Sequence, residues 1–215
     1  SSMVTTLLAI VLVSAVTCIG SLYARRYGSP EGLIALYVLF VTLSQIIEDE
    51  VGGALADGLL RRAAAGEGPL NLRNAATLGG VIASAEYDSE FYAALLALDA
   101  GVVLHDGEQE HTVQLEDLQS VAGLITAVLI PTAAARGGMA RVARTPADRP
   151  IVAAAVVQVG GAERVALCGV AARPVLSGVV LTPPDDYKGS TAYRLAMAEI
   201  VAQRARAEIP AVPAA

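Results

Sequence analysis

The stretch from Leu70 to Asp99 restricts what this chain can fold into more than any other. It opens on a turn-rich string, Asn74-Ala75-Ala76-Thr77-Leu78-Gly79-Gly80, and passes through a short apolar segment and an acidic patch. It then reaches Phe91, Leu95, Leu96 and Leu98, which recur at helical spacing. Two adjacent glycines carry no Cβ, so the main chain there can approach a bulky ligand and turn N–H groups toward an anion, with the Thr77 hydroxyl at the same place. On its own, a Thr-x-Gly-Gly string more often marks a plain turn. The pattern predicts a backbone-exposing loop followed by a buried helix, with a phosphate-bearing ligand as one reading of the loop.

The wider string is Arg73-Asn74-x-Ala76-Thr77-Leu78-Gly79-Gly80, then Ile82-Ala83, then Ser89-Glu90-Phe91-x-Ala93-Ala94-Leu95-Leu96-Ala97-Leu98-Asp99-Ala100. It resembles the FAD-binding (medium) subunit of the molybdenum hydroxylases, the carbon monoxide and xanthine dehydrogenase type. In that family the R-N-x-A-T-[IL]-G-G loop touches the flavin nucleotide, and an acidic residue at the position of Glu90 lies near the ribityl and ring end. The resemblance implies Arg73, Asn74, Thr77, Leu78, Gly79 and Gly80 as dinucleotide contacts and Glu90 as a flavin-side contact. Val81 stands where the family usually has Asn, and Glu90 where it usually has Asp.

Two later strings extend the likeness. Arg144-Thr145-Pro146-Ala147-Asp148, followed by Pro150-Ile151-Val152, resembles the first strand connection of the family's C-terminal subdomain, and this adds Asp148 to the implied contacts. Residue chemistry alone makes Asp148 a turn-capping Asp. Asp185-Asp186-Tyr187-Lys188-Gly189-Ser190 with Tyr193-Arg194 resembles the family's closing helix. The likeness implies FAD as cofactor, and a molybdopterin-containing large subunit and an iron–sulfur small subunit as partners. Family members also carry an N-terminal FAD subdomain whose A-G-G-[TSN] loop faces the Thr77 loop across the pyrophosphate. No string between Ser1 and Asp49 matches it, so half of the nucleotide clamp is expected to be missing.

Ahead of this region the chain changes character. After Ser1-Ser2, set aside as a cloning remnant, Val4 to Tyr23 runs without a charge, about the length of a membrane-crossing helix. Arg25-Arg26 and a Gly28-Ser29-Pro30 break separate it from a second uncharged run, Gly32 to Ile47, which ends at Glu48-Asp49-Glu50. The pair predicts a hydrophobic helical hairpin over residues 1–47, either transmembrane, with its arginines on the cytoplasmic side, or buried as two core helices. Residues 3–47 also resemble the first hairpin of a queuosine-precursor transporter family. The mean hydropathy of +0.55 is high for a soluble chain and supports a membrane piece. A net charge of −6 argues against nucleic acid as a partner.

Past Glu48 the patterns are those of an α+β domain. Val51 to Ala65 reads as an amphipathic helix ended by Gly66-Glu67-Gly68-Pro69. Val102 to Leu104 and Glu110 to Leu115 read as a hairpin about Asp106-Gly107. Leu124 to Ile130, Met139 to Arg144, Ile151 to Val159 and Arg164 to Val170 read as an antiparallel meander, with Gly137-Gly138 among its breaks. Ser190 is expected to cap a helix from Thr191 to Glu208, with Tyr193, Met197, Ile200 and Val201 inside and Arg194 outside.

The expected fold is therefore a partial FAD-binding domain with an antiparallel sheet and a C-terminal helix, preceded by the hairpin. Residues 48–120 form the second half of the FAD-binding domain, 121–209 the C-terminal subdomain and 210–215 a tail. Cys18 and Cys168 give no disulfide or metal spacing, and His105 and His111 flank a polar turn. No nucleophile, base and orienting group can be assembled, so the chemistry would be that of the cofactor. Three functions stay open: a cytoplasmic electron-transfer subunit, associated with a membrane or not through residues 4–47; a structural module derived from one; and a transporter fragment fused to a soluble domain.

Overall fold

The computed structural model describes residues 33–37, 41–49, 55–131 and 135–210. In chain order the elements are β1 (Leu33–Tyr37), α1 (Leu43–Glu48), a 3-10 turn (Leu55–Gly58), α2 (Leu59–Gly66), α3 (Leu70–Ala75), α4 (Leu78–Ser84) and α5 (Glu90–Ala97). There follow β2 (Gly101–His105), β3 (Glu110–Gln114), β4 (Leu124–Pro131), β5 (Ala135–Val142), β6 (Val152–Val159), β7 (Ala162–Cys168), β8 (Val175–Leu176) and α6 (Thr191–Glu208). The strands form two antiparallel sheets, ordered β1-β4-β2-β3 and β5-β6-β7-β8. This is the expected α+β class.

The second sheet shows why its sequence reads as one continuous apolar run. On β6, Ala153, Ala155 and Val157 point into a core shared with α5, while Val152, Ala154 and Val156 point into a core shared with α6. Both faces are covered, so alternation vanishes. The alanines on this strand leave room for a helix on either side. Gly138 on β5 does the same under α6, since a Cβ there would lie 1.9 Å from the Ala205 carbonyl oxygen. Gly138→Ala is expected to destabilise the fold by about 1–3 kcal/mol in urea unfolding, because α6 must back away from β5.

Local signals were realised where the chain is its own partner. Ser89 caps α5 by accepting the Tyr92 N–H at 3.0 Å, and Ser190 caps α6 by accepting the Tyr193 N–H at 3.3 Å. The β2–β3 hairpin turns about Asp106-Gly107, where Asp106 accepts N–H bonds from Glu108 and Gln109.

Several expectations are corrected. The second run of the hairpin is not one helix: Leu33–Tyr37 is a strand, registered from Leu33↔Pro131 to Tyr37↔Ala127, and the helix is only Leu43–Glu48, capped by Thr42. A short apolar run suits either state, and here the edge of β4 supplies partners for an extended backbone. The first run, residues 4–23, lies outside the described residues, and no helix among those described is long and apolar enough to cross a membrane. Leu124–Pro131 pairs within the first sheet and not with the later strands of the expected meander, so the second sheet begins at Ala135. Gly137-Gly138 do not break a strand but lie within β5, where the 3-10 turn and α6 press close. On α6 the inside is Arg194, Ala198, Val201, Ala202 and Ala205, whereas Tyr193 is 40% exposed.

Candidate functional site

The string from Asn74 to Gly80 is not the open loop expected of it. Leu70–Ala75 is α3, and α4 begins at Leu78, which puts Gly79 and Gly80 in the first turn of a helix. Thr77 caps that turn, its Oγ1 accepting the Gly80 N–H at 3.1 Å. The main chain on either side is tied to α1 through Leu43 N–H to Ala76 O at 3.0 Å and Leu78 N–H to Val41 O at 3.1 Å. These bonds fix where the glycine pair stands.

A cleft of about 490 Å³ opens beside it, with Leu72, Arg73, Ala76, Gly80, Glu67 and Arg149 among its walls. Gly80 is exposed there, and a Cβ on it would meet nothing nearer than Thr77 Oγ1, at 3.2 Å. Arg73 donates from Nη1 to the carbonyls of Ala65 and Gly68, at 3.0 and 2.8 Å. Its buried Nε has no partner among the described residues. Gly79 is buried, Leu78 lies wholly in the core, and Asn74 accepts the Ser44 hydroxyl at 2.5 Å, joining α3 to α1.

Glu90 stands apart from this cleft. It is the first residue of α5 and only 1% exposed, and it faces a second cleft of about 770 Å³ lined also by Gly66, Arg141, Met139 and Arg204. Its Oε2 lies 3.0 Å from Arg141 Nη1 and accepts no hydrogen bond among the described residues. Gly66 makes room for it, because a Cβ there would come within 2.3 Å of Oε2. Burial pushes the Glu90 carboxyl up to about 7; Arg141 opposes that rise and nearby Glu67 adds to it.

Asp148 enters through its main chain. Its carbonyl closely accepts Arg141 Nη2, so one guanidinium joins Glu90 to Asp148. The residue also lines a small cavity of about 230 Å³ with Arg144, Arg149, Tyr187 and Lys188. The structure thus brings Arg73 and Gly80 together, links Glu90 with Asp148, and leaves Leu78 and Asn74 in packing and bracing positions.

Between these places runs a half-buried ionic chain that sequence reasoning did not find. Glu67 pairs closely with Arg149, Arg149 Nη1 lies 2.9 Å from Asp88 Oδ1, and Lys188 Nζ lies 2.5 Å from Asp88 Oδ2. Its members come from the end of α2, the approach to α5, the β5–β6 turn and the approach to α6. No spacing rule relates residues that far apart. The one local signal was Glu67 between two glycines, where a charged residue is common in a turn.

The match with known proteins agrees with the sequence resemblance. Residues 40–133 match the family described as the FAD binding domain in molybdopterin dehydrogenase. The uncharacterized protein YgfM of Escherichia coli is 31% identical over 144 residues, an alignment that covers 58% of this chain and 54% of YgfM. The chain therefore spans about half the length of that relative. Carbon monoxide dehydrogenase from Hydrogenophaga pseudoflava superimposes with a TM-score of 0.74 at 21% identity, over 84% of this chain and 76% of that one. Quinoline 2-oxidoreductase from Pseudomonas putida 86 gives 0.72 at 22%, over 85% and 76%. At those identities the superpositions show the fold. Together with the family match they bear out the resemblance to the medium subunits of molybdenum hydroxylases.

Proposed function

We propose that this chain is the FAD-holding part of an electron-transfer subunit in a molybdopterin-dependent dehydrogenase. In this reading the subunit takes electrons from an iron–sulfur partner, passes them to an external acceptor, and works in the cytoplasm. The observation that carries the reading is Arg73 and Gly80 on one cleft, a guanidinium whose Nε finds no acceptor among the described residues and an exposed residue without a side chain. A guanidinium suits the oxygens of a diphosphate, and a residue without a side chain gives them room.

The residues present fit FAD at that end. Arg73 would hold the diphosphate, Gly80 would leave space for it, and Thr77 would keep the turn in place through its bond to Gly80, with Gly79 buried beneath. Glu90, set by Arg141 and joined through it to the Asp148 carbonyl, would meet the ribityl and ring end. The flavin, when bound, supplies the electron chemistry, and the protein supplies position and charge. One observation favours a second reading, a structural module derived from such a subunit that binds no FAD. Arg149 is already neutralised by Glu67 and Asp88, and Glu67 places a carboxylate on the wall of the Arg73 cleft.

An absorbance scan from the near-ultraviolet to the blue, on protein incubated with FAD and desalted, separates the two readings. Retained flavin is expected for the wild type. Gly80→Val is expected to weaken FAD binding at least about tenfold with an unchanged far-ultraviolet circular dichroism spectrum, since its side chain would enter the cleft. Gly79 is the poorer target, because it is buried and a side chain there would disturb packing. Wild-type protein that stays colourless, or a Gly80→Val variant that keeps wild-type affinity, would reject the assignment.

A further inference from the structure

We infer that Glu67 is a positioning residue for the proposed coenzyme site, holding the Glu90 carboxylate in place through the first turn of α5; the inference rests on the reading given under Proposed function. Glu67 directly follows α2, and its side chain is 5% exposed. Its Oε1 accepts the Ser89 hydroxyl at 2.6 Å and the Phe91 N–H at 2.8 Å, the residues on either side of Glu90. Ser89 itself serves the Tyr92 N–H, so Phe91 depends on Glu67 for its acceptor. The other oxygen, Oε2, pairs with Arg149, which is anchored in turn by Asp88, itself paired with Lys188.

The preceding residue completes the arrangement. Gly66 lies against Glu90 Oε2, so one two-residue turn both brackets Glu90 by its neighbours and seats its carboxylate. That turn is also a partition. Gly66 lines the Glu90 cleft, whereas Glu67 lines the Arg73–Gly80 cleft. A ligand reaching across both clefts would find its two ends registered by the same short segment. The charged groups about Glu90 are Glu67 after α2, Asp88 before α5, Arg141 on β5 and Arg149 after β5, and the Cys168 thiol on β7, which burial keeps protonated, is titratable beside them. Arg62 on α2 and Arg204 and Glu208 on α6 line the same cleft.

The test uses the full chain as wild type, Glu67→Gln, Glu67→Ala, Glu90→Gln and the Glu67→Ala/Glu90→Gln double variant. FAD affinity is read from quenching of flavin fluorescence, and geometry from the visible circular dichroism of the bound flavin. Glu67→Ala is expected to bind FAD about tenfold more weakly with an altered visible spectrum, and Glu67→Gln, which keeps an acceptor for Ser89 and Phe91, within about threefold of wild type. The double variant is expected to be no weaker than Glu67→Ala by more than about twofold, since both changes remove one pathway. Wild-type affinity in a folded Glu67→Ala protein, or fully multiplicative losses in the double variant, would overturn the proposal.

A readout without FAD covers the remaining outcomes. The pH dependence of unfolding that disappears in Glu90→Gln is expected to move to lower pH in Glu67→Gln, because a carboxylate beside Glu90 is gone. An unmoved midpoint overturns the coupling between the two residues. If the wild type takes up no FAD, the coenzyme reading falls while this measurement still decides whether Glu67 governs Glu90. If Glu67→Ala does not fold, the midpoint in Glu67→Gln decides alone.

Discussion

Arg194→Met is expected to lower the unfolding free energy by about 3–5 kcal/mol, as measured by urea denaturation, and the melting temperature by on the order of 10 °C. Arg194 is 0% exposed, and each part of its guanidinium is engaged. Nη2 donates to Asp186 Oδ1 at 2.7 Å, Nη1 to the carbonyls of Ile151 at 2.5 Å and Gly169 at 3.1 Å, and Nε to the Gly189 carbonyl at 3.2 Å. Those acceptors belong to the start of β6, the turn after β7 and the approach to α6, so one side chain ties three chain segments together. Methionine fills the stem but takes this donor from the carbonyls of Ile151, Gly169 and Gly189 and leaves Asp186 to Tyr87 and the Lys188 and Gly189 N–H groups, and it is the unmatched carbonyls that carry the cost. Arg194→Lys, able to serve fewer of those acceptors, is expected to fall between. A loss below about 1 kcal/mol for Arg194→Met would show that these bonds are worth no more than surface contacts.

The same substitution has a pH signature. Burial alone would raise the Asp186 carboxyl, but hydrogen bonds from Tyr87 and Arg194 and from the Lys188 and Gly189 N–H groups hold it at about 2. A lowered carboxyl stabilises the fold above its unfolded value, and that contribution disappears as the pH falls toward 2. Without Arg194 part of the contribution is lost, so the variant is expected to begin acid unfolding at a higher pH than the wild type. Glu90, shifted the other way, titrates in a separate range.

What the sequence made legible is what neighbouring residues decide among themselves. Ser89 and Ser190 sit where a first helical turn offers free N–H groups, and Asp106-Gly107 turns a hairpin by local geometry; all three were readable and all three formed. Leu33–Tyr37 was misread because its partner, Ala127–Pro131, lies far along the chain, and an uncharged run of that length gives no period to choose by. Arg194 was placed outside because charge predicts exposure, whereas the carbonyls of Ile151 and Gly169 that draw it inside come from turns invisible to a helical wheel. The candidate site divides in the same way. Arg73 and Gly80 were named from their string, and both line one cleft. Asp148 was named for its carboxylate, yet its bond to Arg141 comes from the main chain, which any residue could supply. Asp88, Arg149 and Lys188 had no local pattern, and Glu67 only its place between two glycines, with ionic partners up to 100 positions apart.

Glu90 sets the second large effect. Wild-type stability is expected to fall by roughly 3 kcal/mol between pH 5 and pH 8, and Glu90→Gln to remove most of that fall. The sign follows from the direction of the shift. The carboxyl is pushed up to about 7 from an ordinary value of 4.5, first by burial, against the opposing pull of Arg141. Below 4.5 both folded and unfolded chains hold the proton, and this group contributes no slope. Between 4.5 and 7 the folded chain keeps a proton that the unfolded chain has released, so raising the pH favours unfolding. Above 7 both are ionised, and the folded state bears the full cost of a buried carboxylate whose Oε2 accepts no hydrogen bond among the described residues. Glutamine has nearly the same shape and never ionises, so the variant is expected to be less stable than or equal to the wild type at pH 5 and more stable at pH 8. Urea unfolding of both proteins at the two pH values decides it: parallel stability curves would mean that Arg141 fully compensates the Glu90 charge. A donor reaching Oε2 from a ligand would do what Arg141 does not, so FAD is expected to bind more tightly at pH 8 than at pH 6 in the wild type and equally at both in Glu90→Gln.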